Sequence, residues 1–153
     1  MAAVATIVIV ADRVVKSAIV NAIGPDQSVH RIDLIGNGVG LEYTENRGLA
    51  FGLLPGLGPL LVLGSVLIVG LLLFQFCREP APSGWNAIAL GAVIGGALGN
   101  VIDRLRFGYV VDYISVGSWP NFNVADSAIT LGVIGLIWVW SRDRETMPAP
   151  GRK

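Results

Sequence analysis

The chain has 153 residues, 53% of them hydrophobic and only 14% charged, against about 25% charged in an ordinary soluble domain. Lys+Arg and Asp+Glu are equal at 11 each, so neither net charge nor a basic stripe points to nucleic acid. Cys77 and His30 are the only residues of their types, which excludes a disulfide framework, a thiolate cluster and a His-based zinc site, and leaves little basis for a Ser-His triad.

Residues 1–11 are apolar but have no basic leader, and no clear small-residue cleavage site follows. A removable signal peptide is therefore not expected. A first membrane span is expected over residues 2–23, interrupted by Asp12, Arg13 and Lys16. Residues 27–34 then alternate polar and apolar side chains, the pattern of a half-buried strand. A turn at Gly36, Asn37 and Gly38 and a return strand over residues 39–44 suggest a small sheet on the outer membrane surface.

Residues 48–77 and 80–102 contain no Asp, Glu, Lys or Arg. Each run can hold a helix of about 20 residues, enough to cross a hydrocarbon core of roughly 30 Å. The second span is expected over 57–77 and the third over 85–102, separated by a short polar turn. A fourth span must run over 123–141 to reach full length, which puts Asp126 in its first turn. The fold expected is thus a membrane all-α protein, four transmembrane helices with a small extracytoplasmic β-sheet, in one domain over residues 1–153. Four spans put both termini on one side. Arg78, Arg142, Arg144, Arg152 and Lys153 on that side slightly outnumber Arg31, Arg47, Arg104 and Arg106 on the other, which favours cytoplasmic termini. Trp85, Trp119, Trp138 and Trp140, with Tyr43, Tyr109 and Tyr113, fall near the expected span ends, as an interfacial belt requires.

Ionisable groups at or near the hydrocarbon boundary are costly and read first as functional. Asp12 and Lys16 are one helical turn apart and share a face, either as a structural pair or as support beneath a site. Arg13, about 100° around the helix, snorkels or pairs elsewhere. Asn46 either caps the second helix or hydrogen-bonds a peptide backbone. Gly91, Gly95 and Gly99 form a small-residue face suited to tight helix packing. Asp103 follows the third span, where a carboxylate opposes the helix dipole and calls for a cation other than its neighbour Arg104. Asp112 lies in an extended-looking run and Asp126 at a helix start. The bland readings are a salt bridge to Arg104 or Arg106 for the first and a helix cap for the second. Brought together, the two would share a proton, one activating a water while the other hydrogen-bonds a carbonyl.

Several blocks, in order, resemble the lipoprotein signal peptidases (signal peptidase II) of bacterial inner membranes. They are Asp12 to Lys16, Asn46 to Phe51, Gly95 to Arg104, Gly108 to Tyr113 and Phe122 to Ile129. The resemblance implies an aspartyl endopeptidase that cuts diacylglyceryl-modified prolipoproteins just before the lipidated cysteine, needs no metal or other cofactor, and is inhibited by globomycin-like cyclic peptides. It implies Asp112 and Asp126 as the catalytic dyad. Asp12, Lys16, Asn46, Gly48, Asn100, Asp103, Arg104 and Asn123 would support the site or contact substrate. Asn46 and Asn123 would line it, and Asn100 and Arg104 would orient groups around it. The chain would sit in the cytoplasmic membrane with its site near the extracytoplasmic face, among membrane lipids. It departs from the usual pattern in lacking a basic leader before the first span and in a compact link between the two aspartates, but every polar block is intact. The rivals from other classes are a proton or ion transporter relaying through Asp12, Lys16 and Asp126, and a scaffold assembled through the glycine face. A different intramembrane protease is the nearest alternative among enzymes.

Overall fold

The structure is a computed structural model that describes residues 1–29, 31–36, 38–48, 58–78 and 84–146. His30, Asn37, the polar turn over 79–83 and residues 49–51 of the Asn46 block lie outside the described residues. In chain order the elements are α1 (Ala2–Ile23), β1 (Arg31–Ile35), β2 (Val39–Asn46), α2 (Gly58–Arg78), α3 (Gly84–Phe107), β3 (Val110–Val116), β4 (Trp119–Phe122) and α4 (Val124–Thr146).

Among the described residues, α2, α3 and α4 contain segments long and apolar enough to cross a membrane: Pro59–Arg78, Gly84–Phe107 and Val124–Arg142. α1 has the length, about 33 Å at 1.5 Å per residue, but carries Asp12, Arg13 and Lys16. Leu63, Val66, Leu67, Ile68 and Leu71 of α2 are all more than half exposed. A helix apolar on every side and covered on few is built for contact with lipid.

α3 is the hub. Ala89, Leu90, Val93 and Ile94 pack with Ala5 of α1 and Leu136 of α4, and Val69, Leu72, Leu73 and Phe76 of α2 close over them. The glycine face works as packing. A Cβ at Gly95 would lie 2.7 Å from the Ala5 carbonyl oxygen, and one at Gly91 would lie 2.6 Å from that of Met1. Gly96 does the same toward α4, where a Cβ would strike the Ala125 carbonyl.

α3 runs five residues past the end expected from its uncharged run, because Gly108 at φ +81° ends it by donating its N–H to the Arg104 carbonyl at 3.0 Å. Asp103 is therefore inside the helix, 1% exposed, and not at its end. The four strands form one antiparallel sheet in the order β1-β2-β3-β4. β1 starts at Arg31 and not at Gln27, because the chain after α1 first turns, Gln27 N–H bonding the Gly24 carbonyl at 3.0 Å. β2 continues past Thr44 to Asn46, since Glu45 and Asn46 pair with Val111 and Val110. One face of β3 buries Val111 and Tyr113 against Ile19 and Ile23 of α1. By strand alternation Asp112 is turned to the other face, opposite Thr44.

Candidate active site

Asp112 is 2% exposed, and both its oxygens accept from side-chain amides. Asn123 Nδ2 donates to Oδ1 at 2.7 Å and Asn46 Nδ2 to Oδ2 at 2.9 Å. The expected alternative, a salt bridge to Arg104 or Arg106, is not formed among the described residues. Burial, and next the nearby Asp126 carboxylate, push Asp112 up from the ordinary 3.8 to about 7, against the opposing pull of the two amides.

Asp126 lies in the first turn of α4. Asn123 Oδ1 accepts from the Asp126 N–H at 2.9 Å, and Asp126 Oδ2 accepts from the Asn123 N–H at 3.2 Å. This is a reciprocal capping box with Asn and Asp in the places usually held by Ser/Thr and Glu. Asp126 thus acts as a cap, and its other oxygen remains for Asn100 Nδ2 at 2.7 Å. Capping explains one oxygen of the carboxylate and leaves the other for the site.

The amide orientations are set from the α1 side. Lys16 Nζ donates to Asn100 Oδ1 at 3.3 Å, which turns the Asn100 NH₂ toward Asp126. Asn123 Nδ2 also reaches Asn100 Oδ1 at 3.2 Å and the Val111 carbonyl at 3.3 Å. Beneath this layer lies a four-charge cluster, buried except for the partly exposed Arg13. Lys16 pairs with Asp12 at 2.9 Å and Asp103 at 2.7 Å. Arg13 pairs with Asp12 at 3.0 Å and Asp103 at 2.6 Å. Two cations alternating with two anions offset the desolvation that any one of them alone would incur. The cluster also reaches the backbone: Asp12 Oδ1 accepts from the Ala125 N–H at 3.3 Å and Asp103 Oδ2 from the Val111 N–H at 3.4 Å. It thereby holds the start of α4 and the residue preceding Asp112.

Asp112 and Asp126 both line one cavity of about 650 Å³, with Asn46, Gly48 and Arg104 near them and Trp119, Phe122, Thr130 and Leu131 along its walls. Arg104 donates to the Gly48 carbonyl at 3.3 Å. Asn46 Oδ1 accepts from the Gly48 N–H at 3.1 Å, an Asx turn that aims its amide at Asp112; the helix cap considered for Asn46 would fall on residues outside the described ones. A second groove, about 580 Å³, shares Asn46, Gly48 and Asp112 and runs over Glu42 and Thr44 of the sheet.

All ten residues singled out from the sequence therefore fall in three connected groups. Asn46, Gly48, Arg104, Asp112 and Asp126 line the cavity. Asn100 and Asn123 stand behind the carboxylates, and Asp12, Lys16 and Asp103 form the ion cluster. Arg13 belongs to that cluster as well, and its charge in an apolar run was the signal for it. Tyr113, whose hydroxyl accepts from the Val124 N–H at 3.3 Å, and the Asn121–Thr44 bond at 2.7 Å, which joins β4 to β2, had no such signal. Among the described residues no group of three or more His, Cys, Asp and Glu side chains is arranged to hold a metal ion.

A family model described as Signal peptidase (SPase) II matches residues 4–142. A lipoprotein signal peptidase of Halothermothrix orenii is 40% identical over 142 residues, covering 92% of this chain and 95% of that one. One of Syntrophomonas wolfei is 41% identical over 131 residues, covering 86% and 85%. A solved structure titled as a bacterial membrane enzyme, determined by the in meso method at 2.3 Å, superposes with TM-score 0.83 at 28% identity, covering 98% of this chain and 92% of that one. On the extent of these matches, the chain belongs to the signal peptidase II family.

Proposed function

We propose that this chain is a lipoprotein signal peptidase of the aspartic type, cleaving diacylglyceryl-modified prolipoproteins before the lipidated cysteine, with Asp112 and Asp126 as its catalytic pair. The observation that carries the reading is the pairing of these carboxylates on one cavity, each held by an asparagine side chain and, among the described residues, neither in an ion pair. Burial and the neighbouring carboxylate raise Asp112 to about 7, and two carboxyl groups facing one cavity favour sharing a single proton. The ionised member takes a proton from water as the water attacks the scissile carbonyl. The protonated member donates a hydrogen bond to the carbonyl oxygen and then a proton to the leaving amine. The pair titrates as a unit.

Asn46, Asn100 and Asn123 fix the carboxylates, Arg104 and Gly48 bound the cavity beside them, and Asp12, Lys16 and Asp103 hold the framework below. In this reading α1 is a fourth span, its charges neutralised within the cluster, and the 153 residues act as one domain. Both termini are cytoplasmic in the bacterial inner membrane, and the sheet lies at the extracytoplasmic face. A lipid-anchored substrate meets a site at that depth by diffusing within the leaflet, and water reaches it without a channel. Globomycin-like cyclic peptides would compete for the same cavity.

The test uses purified protein and a synthetic diacylglyceryl prolipoprotein. Asp112→Asn and Asp126→Asn each abolish cleavage while the protein remains folded, and removing the diacylglyceryl group from the substrate abolishes cleavage by the unaltered enzyme. Full turnover by either variant rules out the dyad. Cleavage of the unlipidated peptide at the same rate points to a different intramembrane protease.

A further inference from the structure

α1 and α3 also enclose a groove of about 320 Å³ that shares no lining residue with the cavity of the two carboxylates. Arg13, Ser17, Val20 and Asn21 supply its α1 side and Arg106 and Phe107 its α3 side, while Lys16 and Asp103 of the ion cluster, with Val111, form its floor. Ser17 and Asn21 are exposed, on a helix whose other outward positions include Ile7, Val10 and Val14, each more than half exposed. Both lie in the last turns of α1, the end that packs on the sheet through Ile19 and Ile23, and with the sheet at the membrane face they stand at the level of lipid head groups. Asp103, one turn before Arg106, already holds Arg13 and Lys16 at 2.6 and 2.7 Å. Arg106 lines the groove, is exposed, and holds its guanidinium over the ring of Phe107, another lining residue, at 5.3 Å. The groove opens beside apolar surface, with Leu105 72% and Phe107 49% exposed.

Donors at one end of a groove and bare apolar surface around it suit an amphipathic ligand with an anionic head. We infer that this groove binds a membrane phospholipid, its phosphodiester held by Arg106, Ser17 and Asn21 and its acyl chains lying along α1 and α3. Arginine suits a phosphate because its planar fork presents paired N–H donors, and basic pockets between membrane helices bind lipid head groups on the same principle. The inference requires α1 to lie in the bilayer but not the catalytic assignment of the aspartates.

The experiment takes the full chain in mild detergent, strips endogenous lipid, and follows rebinding by native mass spectrometry. Phosphatidylglycerol, phosphatidylcholine, diacylglycerol and inorganic phosphate are offered separately. Both phospholipids are expected to bind at one copy per chain and diacylglycerol not to. Arg106→Gln combined with Asn21→Val weakens phospholipid binding about tenfold or more, the loss expected for a charge-assisted hydrogen bond, and Arg106→Lys restores part of it. Prolipoprotein cleavage by the same samples is unchanged, which separates this site from the peptidase site. Equal binding of diacylglycerol, saturation by inorganic phosphate with no phospholipid bound, or undiminished phospholipid binding by the double variant each overturns the inference.

Discussion

Replacing Asp112 by asparagine removes a carboxyl group whose titration the fold displaces from 3.8 to about 7. At 1.36 kcal/mol per unit, a displacement of that size corresponds to about 4 kcal/mol between the protonated and ionised forms. The direction follows from where the proton sits. Between pH 3.8 and about 7 the unfolded chain gives up this proton while the folded chain retains it. Folding stability therefore falls as pH rises through that window, by at most about 1.4 kcal/mol per pH unit, and levels off above it. Asparagine cannot titrate, so Asp112→Asn lacks this component. It also turns an NH₂ toward Asn46 or Asn123, a mismatch costing about 1–3 kcal/mol, but that cost does not vary with pH. The assay is the thermal midpoint, followed by tryptophan fluorescence from pH 4.5 to 8.5, for both proteins. The advantage of wild type over the variant should shrink as pH rises and become constant above about pH 7. In an Asp126→Asn background the second-largest cause of the displacement is gone, so the levelling moves to lower pH. Parallel pH profiles for wild type and Asp112→Asn would refute the reasoning.

Lys16→Met leaves Asp12 and Asp103 with Arg13 alone and should cost about 3–5 kcal/mol in detergent unfolding, the penalty of breaking a buried ion pair. Asn123→Ala removes the α4 cap, worth about 0.5–2 kcal/mol, together with the 2.7 Å bond to Asp112. Its cleavage rate should drop at least tenfold under conditions where circular dichroism shows it still folded. Gly95→Leu drives a side chain into the Ala5 carbonyl and should destabilise by about 1–3 kcal/mol. Gly70→Ala on α2, where a Cβ meets nothing within 4 Å, should raise stability by up to about 1 kcal/mol, the gain of alanine over glycine inside a helix.

The long helices were readable because their signal is local. The expected span over residues 2–23 coincides with α1, and those over 57–77 and 123–141 begin within one residue of α2 and α4. Uncharged runs set these limits without reference to the rest of the chain. The third helix ran past its expected end because a run of apolar residues does not report a helix that continues through charges buried against a neighbour. β4 was missed for a related reason: four residues containing a proline carry no period, and only the edge of β3 makes them a strand.

Site chemistry divides in the same way. Apolar surroundings alone mark Asp12, Lys16, Asp103, Asp112 and Asp126 as residues in need of partners, since the cost of charge in lipid depends on local environment. Which partner each one finds depends on contacts between distant segments. Lys16 meets Asn100 and Asp103, Asp12 meets the α4 backbone, and Asn123 reaches Asp112. Motif order in the sequence was enough to identify the family. The division of these ten residues into a cavity lining, an amide layer and an ion cluster arises only when α1, α3, α4 and the sheet pack together, because hydrogen-bond geometry is a property of distance and angle that residue order does not carry.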